Sequence, residues 1–116
     1  MLEVKTENLG DITVILPEGR IDPLTVDEFE KSIEESIKNG RVKIILDCSR
    51  LDYISSAGLG VLIGHIEEIR EKGGDLVICC TSSRVYQIFD LLGFTKIYRF
   101  FPDRPSALKS FVHGEN

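Results

Sequence analysis

Nowhere in the sequence does an apolar run approach the roughly 20 residues that a membrane-spanning helix requires. The first ten residues carry acids and lack the apolar core of a secretory signal, so a cytoplasmic location is expected. Basic residues are scarce: 14 Lys and Arg stand against 19 Asp and Glu, a net charge of -5. That deficit excludes the broad basic face needed for non-specific nucleic-acid binding, and it disfavours an anionic membrane as partner. A basic protein surface remains a fitting partner. The sequence has no histidine cluster and no Cys-x-x-Cys spacing, so neither a metal nor another cofactor is expected. Cys48, Cys79 and Cys80 cannot all pair within the chain. They sit in apolar, strand-like runs and read as buried free thiols, and a Cys79–Cys80 disulfide is disfavoured in a reducing cytosol.

What remains fits one folded unit. The chain has 116 residues, of which 42% are hydrophobic, enough for a single core. Val4 to Thr6 and Ile12 to Leu16 are rich in β-formers, and Asn8-Leu9-Gly10-Asp11 between them has turn chemistry, so they predict a hairpin. Pro23 closes the strand that precedes it. Thr25 with Glu28 has capping-box spacing, and Val26, Phe29, Ile33 and Ile37 recur at helical intervals up to Asn39-Gly40. Val42 to Leu46 suits a strand covered on both faces. Ser56 to Lys72 predicts a second helix, Leu76 to Cys80 another strand, and Ser82 or Ser83 the cap of a third helix reaching Leu92. Ile97 to Phe101 follows as a short strand, and Ser106 to Val112 as a last helix. The order β-β-α-β-α-β-α-β-α predicts an α/β fold: a mixed, mostly parallel sheet with about four helices in one domain over residues 1–116.

The segment from Leu46 to Leu62 carries the chemistry. It reads as the end of a buried strand, a short polar turn, two serines and a helix. A serine at a helix start lies beside unpaired backbone N–H groups and the positive end of the helix dipole, a setting that holds phosphate well. Three readings compete. Ser55 or Ser56 caps the helix, and Gly60 and Gly64, four apart, let it pack closely. Alternatively, Gly58-Leu59-Gly60 with Gly64 forms a nucleotide-binding turn. That signal is weak, because no Lys-Ser/Thr pair is present and the acid that should end the next strand, Asp75, begins it. In the third reading an accessible serine accepts a phosphoryl group, whose charge of about -1.5 to -2 repels a partner packed there. Serine catalysis fits poorly. His65 lies about two turns beyond Ser56, His113 is near the end, and no Gly-x-Ser-x-Gly elbow surrounds either serine.

The run Ser55-Ser56-Ala57-Gly58-Leu59-Gly60 resembles the signature of STAS-domain anti-sigma factor antagonists, commonly Asp-Ser-Ser-Gly-Leu-Gly or Ser-Ser-Ala-Gly-Leu-Gly. The coarse element order matches that fold over nearly the whole chain. The resemblance implies that Ser56, two places before Gly58, is phosphorylated by a partner kinase. Many relatives have Asp where this chain has Ser55, which leaves Ser55 a second candidate hydroxyl, and Ala57 replaces a hydroxyl found in some. An acid at Asp22 lies beside the acceptor loop in resembling proteins and could hydrogen-bond Ser56. An Asx turn before Pro23 is an equal alternative. Ser82 and Arg84, with the loop before the third helix, flank the family's binding surface, so Arg84 is a candidate partner contact or a solvated first-turn charge.

The implied function is non-enzymatic. The protein would bind an anti-sigma factor serine kinase and free a bacterial sigma factor, release that partner when Ser56 is phosphorylated, and be reset by a serine phosphatase. Alternatives are a STAS module of a stressosome or a transport system, or a small nucleotide-binding α/β protein. With no membrane span and no N-terminal sensor domain in the sequence, the stand-alone antagonist is favoured. Oligomeric state is not legible.

Overall fold

The computed structural model describes residues 1–113, with the backbone alone for His113. The strands are β1 (Leu2–Leu9), β2 (Ile12–Ile21), β3 (Lys43–Asp47), β4 (Leu51–Ile54), β5 (Asp75–Cys79) and β6 (Phe100–Phe101). The helices are α1 (Val26–Lys38), α2 (Ser56–Glu71), α3 (Ser83–Leu91) and α4 (Arg104–His113), with a 3-10 turn at Phe94–Lys96. β1 and β2 form the expected antiparallel hairpin, tightened to the pair Leu9–Ile12 by Gly10 at φ +62°. All other pairings are parallel: β2 with β3 and with β4, β3 with β5, and β5 with β6. The result is a six-stranded mixed sheet with four helices.

Alternation along the central strands builds two cores. Ile44, Leu46, Leu76 and Ile78 face α1, α2 and α3, where Phe29, Ile33, Leu62, Ile69 and Phe89 are buried. Val14, Ile45, Val77 and Cys79 face the other way, onto Ala107 and Phe111 of α4. Each fully buried side chain of this size contributes about 1.5–3 kcal/mol. Strands covered on both faces therefore read as unbroken apolar runs.

Several expectations are corrected. The polar stretch after β3 is shorter than its sequence implies, and Leu51–Ile54 is a strand, β4, beside the second half of β2. Thr25 stands at the N-cap of α1 but makes no side-chain cap bond, because its hydroxyl donates to Arg20 O at 2.8 Å. The strand expected from Ile97 is only Phe100–Phe101, since Phe94 to Lys96 close a 3-10 turn first. α4 starts at Arg104, before Ser106, with Ser106 N–H donating to Asp103 Oδ1 at 2.8 Å. Cys48, Cys79 and Cys80 are free thiols, the first two buried.

Candidate functional site

β2 and β4 end side by side. Ile21 pairs with Ile54, and Ser55 N–H donates to Ile21 O at 2.8 Å. The next residues, Asp22 and Ser56, therefore leave the sheet from the same edge. Asp22 takes the turn alternative: its Oδ1 accepts from Leu24 N–H at 2.9 Å and from Thr25 N–H at 3.1 Å. Thr25 locks this Asx turn from the other side, because its hydroxyl also accepts from Asp22 N–H at 3.0 Å. No hydrogen bond joins Asp22 to Ser56 among the described residues. The closed turn lifts Leu24 out to 94% exposure.

Ser55, not Ser56, occupies the N-cap of α2, with extended backbone at φ -88° and ψ 173°. It is only 8% exposed, and its Oγ is buried without a hydrogen-bond partner. Ser56 is exposed. The first turn of α2 has no side-chain cap and no acidic residue, in contrast to α1, whose first turn carries Asp27 and Glu28. The positive end of α2 is thus uncompensated, and its leading N–H groups lack intrahelical acceptors.

Gly58, Leu59 and Gly60 lie within α2 and not in a turn, so they do not form a phosphate-cradling loop. Gly58 is the glycine that close packing demands. A Cβ there would lie 2.6 Å from Ile21 Cγ2 and 2.7 Å from Ile54 Cγ1. This seats the first turn of the helix on the ends of β2 and β4. Leu59 is buried in the core beneath. The packing expected of Gly60 and Gly64 is not there: neither would bring a Cβ within 4 Å of anything. Both face solvent with Ser56, Ile63 and Glu67, in steps of three and four along α2. Ala57 is half-buried beside them.

The turn after β5 leaves from the same edge, because β5 runs parallel to β3. Ser82 caps α3, its Oγ accepting from Val85 N–H at 3.1 Å. Arg84 is exposed. α3 packs against β4, although no hydrogen bond or ion pair links Ser82 or Arg84 to Ser56 among the described residues. His65 Nε2 lies 2.9 Å from Glu30 Oε2 and so belongs to a contact between α1 and α2, away from Ser56. Three features have little local signal in the sequence. Thr25 has cap spacing but locks the Asp22 turn, and nothing in a Ser-Ser pair marks Ser55 as buried. Leu24 is a further exposed apolar neighbour of the site, and its signal was an apolar residue just after Asp-Pro.

Residues 3–107 match the family model of the STAS domain. The chain belongs to the STAS domain family. Similar proteins include the anti-sigma F factor antagonist of Paenibacillus polymyxa, 27% identical over 108 residues that cover 92% of each chain. An anti-sigma-B factor antagonist of Listeria monocytogenes is 28% identical over 97 residues, 83% of each. The STAS fold is also that of the Bacillus cell fate determinant SpoIIAA in its phosphorylated form, with a TM-score of 0.73 at 20% identity, over 96% of this chain and 100% of that one. For SpoIIAA in its unphosphorylated form the TM-score is 0.74. No helix among the described residues is long and apolar enough to cross a membrane.

Proposed function

We propose that this STAS chain is an anti-sigma factor antagonist whose affinity for an anti-sigma factor serine kinase is set by phosphorylation of Ser56. The difference between the two serines carries the reading. Ser56 presents its hydroxyl to solvent at the head of α2, whereas Ser55 is buried beneath it. A kinase needs an accessible hydroxyl, so Ser56 is the acceptor. The names of the relatives point to the same role.

The unphosphorylated partner surface runs from Leu24 and the Asp22 turn across Ser56 to Gly60 and Ile63, with Ala57 beside it. Ser82 and Arg84 flank it on the parallel edge. The glycines leave bare backbone where a partner can approach closely. Phosphorylation adds about -1.5 to -2 charges, which the uncapped N–H groups and dipole of α2 accommodate locally. A partner pressed onto that surface would have to cover those N–H groups and bury the dianion against itself, so it dissociates, and a serine phosphatase restores binding. The chain acts by binding, without catalysis of its own, in the cytoplasm. Anchoring of the site by Gly58 and by the Ser55–Ile21 hydrogen bond argues for a surface change without refolding.

Incubation with the cognate kinase and ATP, followed by phosphopeptide mapping, tests the assignment. One phosphate on Ser56 is expected, and modification of Ser55 alone overturns it. Ser56→Ala should bind the kinase constitutively and Ser56→Asp weakly. Equal affinity of the phosphorylated and unphosphorylated forms for the kinase would refute the switch. Amide shifts on phosphorylation should be confined to Asp22 to Leu24, Ser55 to Gly60 and the loop near Ser82.

A further inference from the structure

Neighbouring side chains in a strand point to opposite faces. Cys79, the last residue of β5, follows the rule and packs into the core beneath α4. Cys80 should face the other way, yet it packs against the same core. Its backbone explains this: Cys80, at φ +67°, is the one non-glycine residue with positive φ among the described residues. That conformation is disfavoured for any residue with a Cβ. Here it folds Cys80 back over Cys79 and brings the two Sγ atoms to 2.7 Å.

A third group meets them. Asp47 of β3 pairs with Cys79 of β5, so its side chain emerges on the same face. An oxygen of its carboxylate and the two sulfurs all lie within 4.8 Å of one another. Arg104 of α4 holds that carboxylate from behind, with Nε donating to Oδ2 at 3.0 Å, and reaches Glu7 with its other arm. Cys80 is only partly buried and opens the cluster to solvent.

We infer that Cys79, Cys80 and Asp47 form a binding site for a thiophilic divalent cation of the zinc and cadmium class. Two sulfurs and one carboxylate oxygen fill three corners of a tetrahedron and leave the fourth for water. With metal–sulfur bonds of about 2.3 Å and metal–oxygen bonds of about 2.0–2.2 Å, tetrahedral geometry sets the two sulfurs about 3.7 Å apart, so the pair opens by about 1 Å on binding. Binding displaces one proton from each thiol and leaves two thiolates. The charges then balance, because the dication meets two thiolates and Asp47 carries its own counter-ion in Arg104. A bound cation would fix the turn between β5 and α3, which Ser82 caps on the sheet edge shared with Ser56.

The test uses the full chain, reduced and metal-free, titrated with Cd²⁺, with Zn²⁺ as competitor and Mg²⁺ as control. The site predicts one Cd²⁺ per chain, sulfur-to-metal charge-transfer absorbance, and displacement by Zn²⁺ but not by Mg²⁺. Affinity should rise about 100-fold per pH unit below the thiol range, the signature of two displaced protons. Cys80→Gly is the decisive variant: glycine suits the left-handed backbone, so the fold is kept while a ligand is lost. It should weaken binding by about tenfold or more. Cys48→Ser should leave binding unchanged, since Cys48 packs into the opposite core. Absence of charge-transfer absorbance, full binding by Cys80→Gly, or equal loss in Cys48→Ser overturns the assignment.

Discussion

Gly58→Ala and Gly60→Ala, two residues apart in α2 but in different surroundings, should change stability in opposite directions. Both replace a glycine in α2, and each gains up to about 1 kcal/mol in helix propensity. At position 60 nothing lies within 4 Å of the added methyl, so that gain stands alone. At position 58 the methyl would meet Ile21 Cγ2 at 2.6 Å and Ile54 Cγ1 at 2.7 Å. Both isoleucines are at most 1% exposed, and their β-branched side chains are restricted at χ1, so neither can swing away. Overpacking of this kind costs about 1–3 kcal/mol. The propensity gain largely cancels between the variants, and the difference between them isolates the steric cost, again about 1–3 kcal/mol. Urea unfolding followed by circular dichroism measures it, provided the slope is unchanged. Equal midpoints for the two variants would refute the claim that Gly58 seats the helix on β2 and β4. A destabilised Gly60→Ala would refute the solvent-facing assignment of that face.

Ser82→Ala should lose about 1 kcal/mol because it removes the cap bond to Val85 N–H, whereas Ser55→Ala, at a cap that makes no bond, should be neutral or slightly stabilising by the same unfolding assay. Arg104→Ala should destabilise the chain at neutral pH by about 1–3 kcal/mol, a range discounted for the partial exposure of the arginine. Burial alone would raise the Asp47 carboxyl, but hydrogen bonds from Ser49 and the Arg104 guanidinium together hold it below the usual carboxylate range. A carboxyl lowered in the folded state contributes stability above its unfolded value of about 4 and loses it as pH falls through the folded one. The gap between wild type and Arg104→Ala should therefore narrow in acid, and a constant gap would show that the pair is not ionic in origin.

The parts of the fold legible in the sequence are those where one local pattern decides. Val26, Phe29, Ile33 and Ile37 mark α1 because a single helix face is buried. Ile44 to Leu46 and Leu76 to Ile78 mark central strands because both faces are covered. Caps were less legible. Thr25 and Glu28 have capping-box spacing, yet Asp22 lies three residues earlier and offers Thr25 a competing turn that uses its hydroxyl twice. Ser82 faced no such competitor and caps as expected.

β4 was hidden for a tertiary reason, and the same reason explains the site. Leu51 to Ile54 is only four residues long and contains Asp52, so its periodicity is too brief to register. It becomes a strand because β2 continues beyond β3 and leaves backbone to be paired. The register shifts between Gly19 and Arg20, after which Tyr53 and Ile54 pair with Arg20 and Ile21. Arg20 then lies over the Tyr53 ring, 4.6 Å from its centre. That extra length of sheet carries Ser55 and Ser56 out to the level of the Asp22 turn. The residues Ser56-Ala57-Gly58 could be read locally, but their position beside Leu24 could not, because it depends on a strand pairing set by residues more than thirty positions earlier in the chain. One serine of the pair is therefore pressed under the helix and the other faces solvent, a distinction that belongs to the sheet and not to the motif.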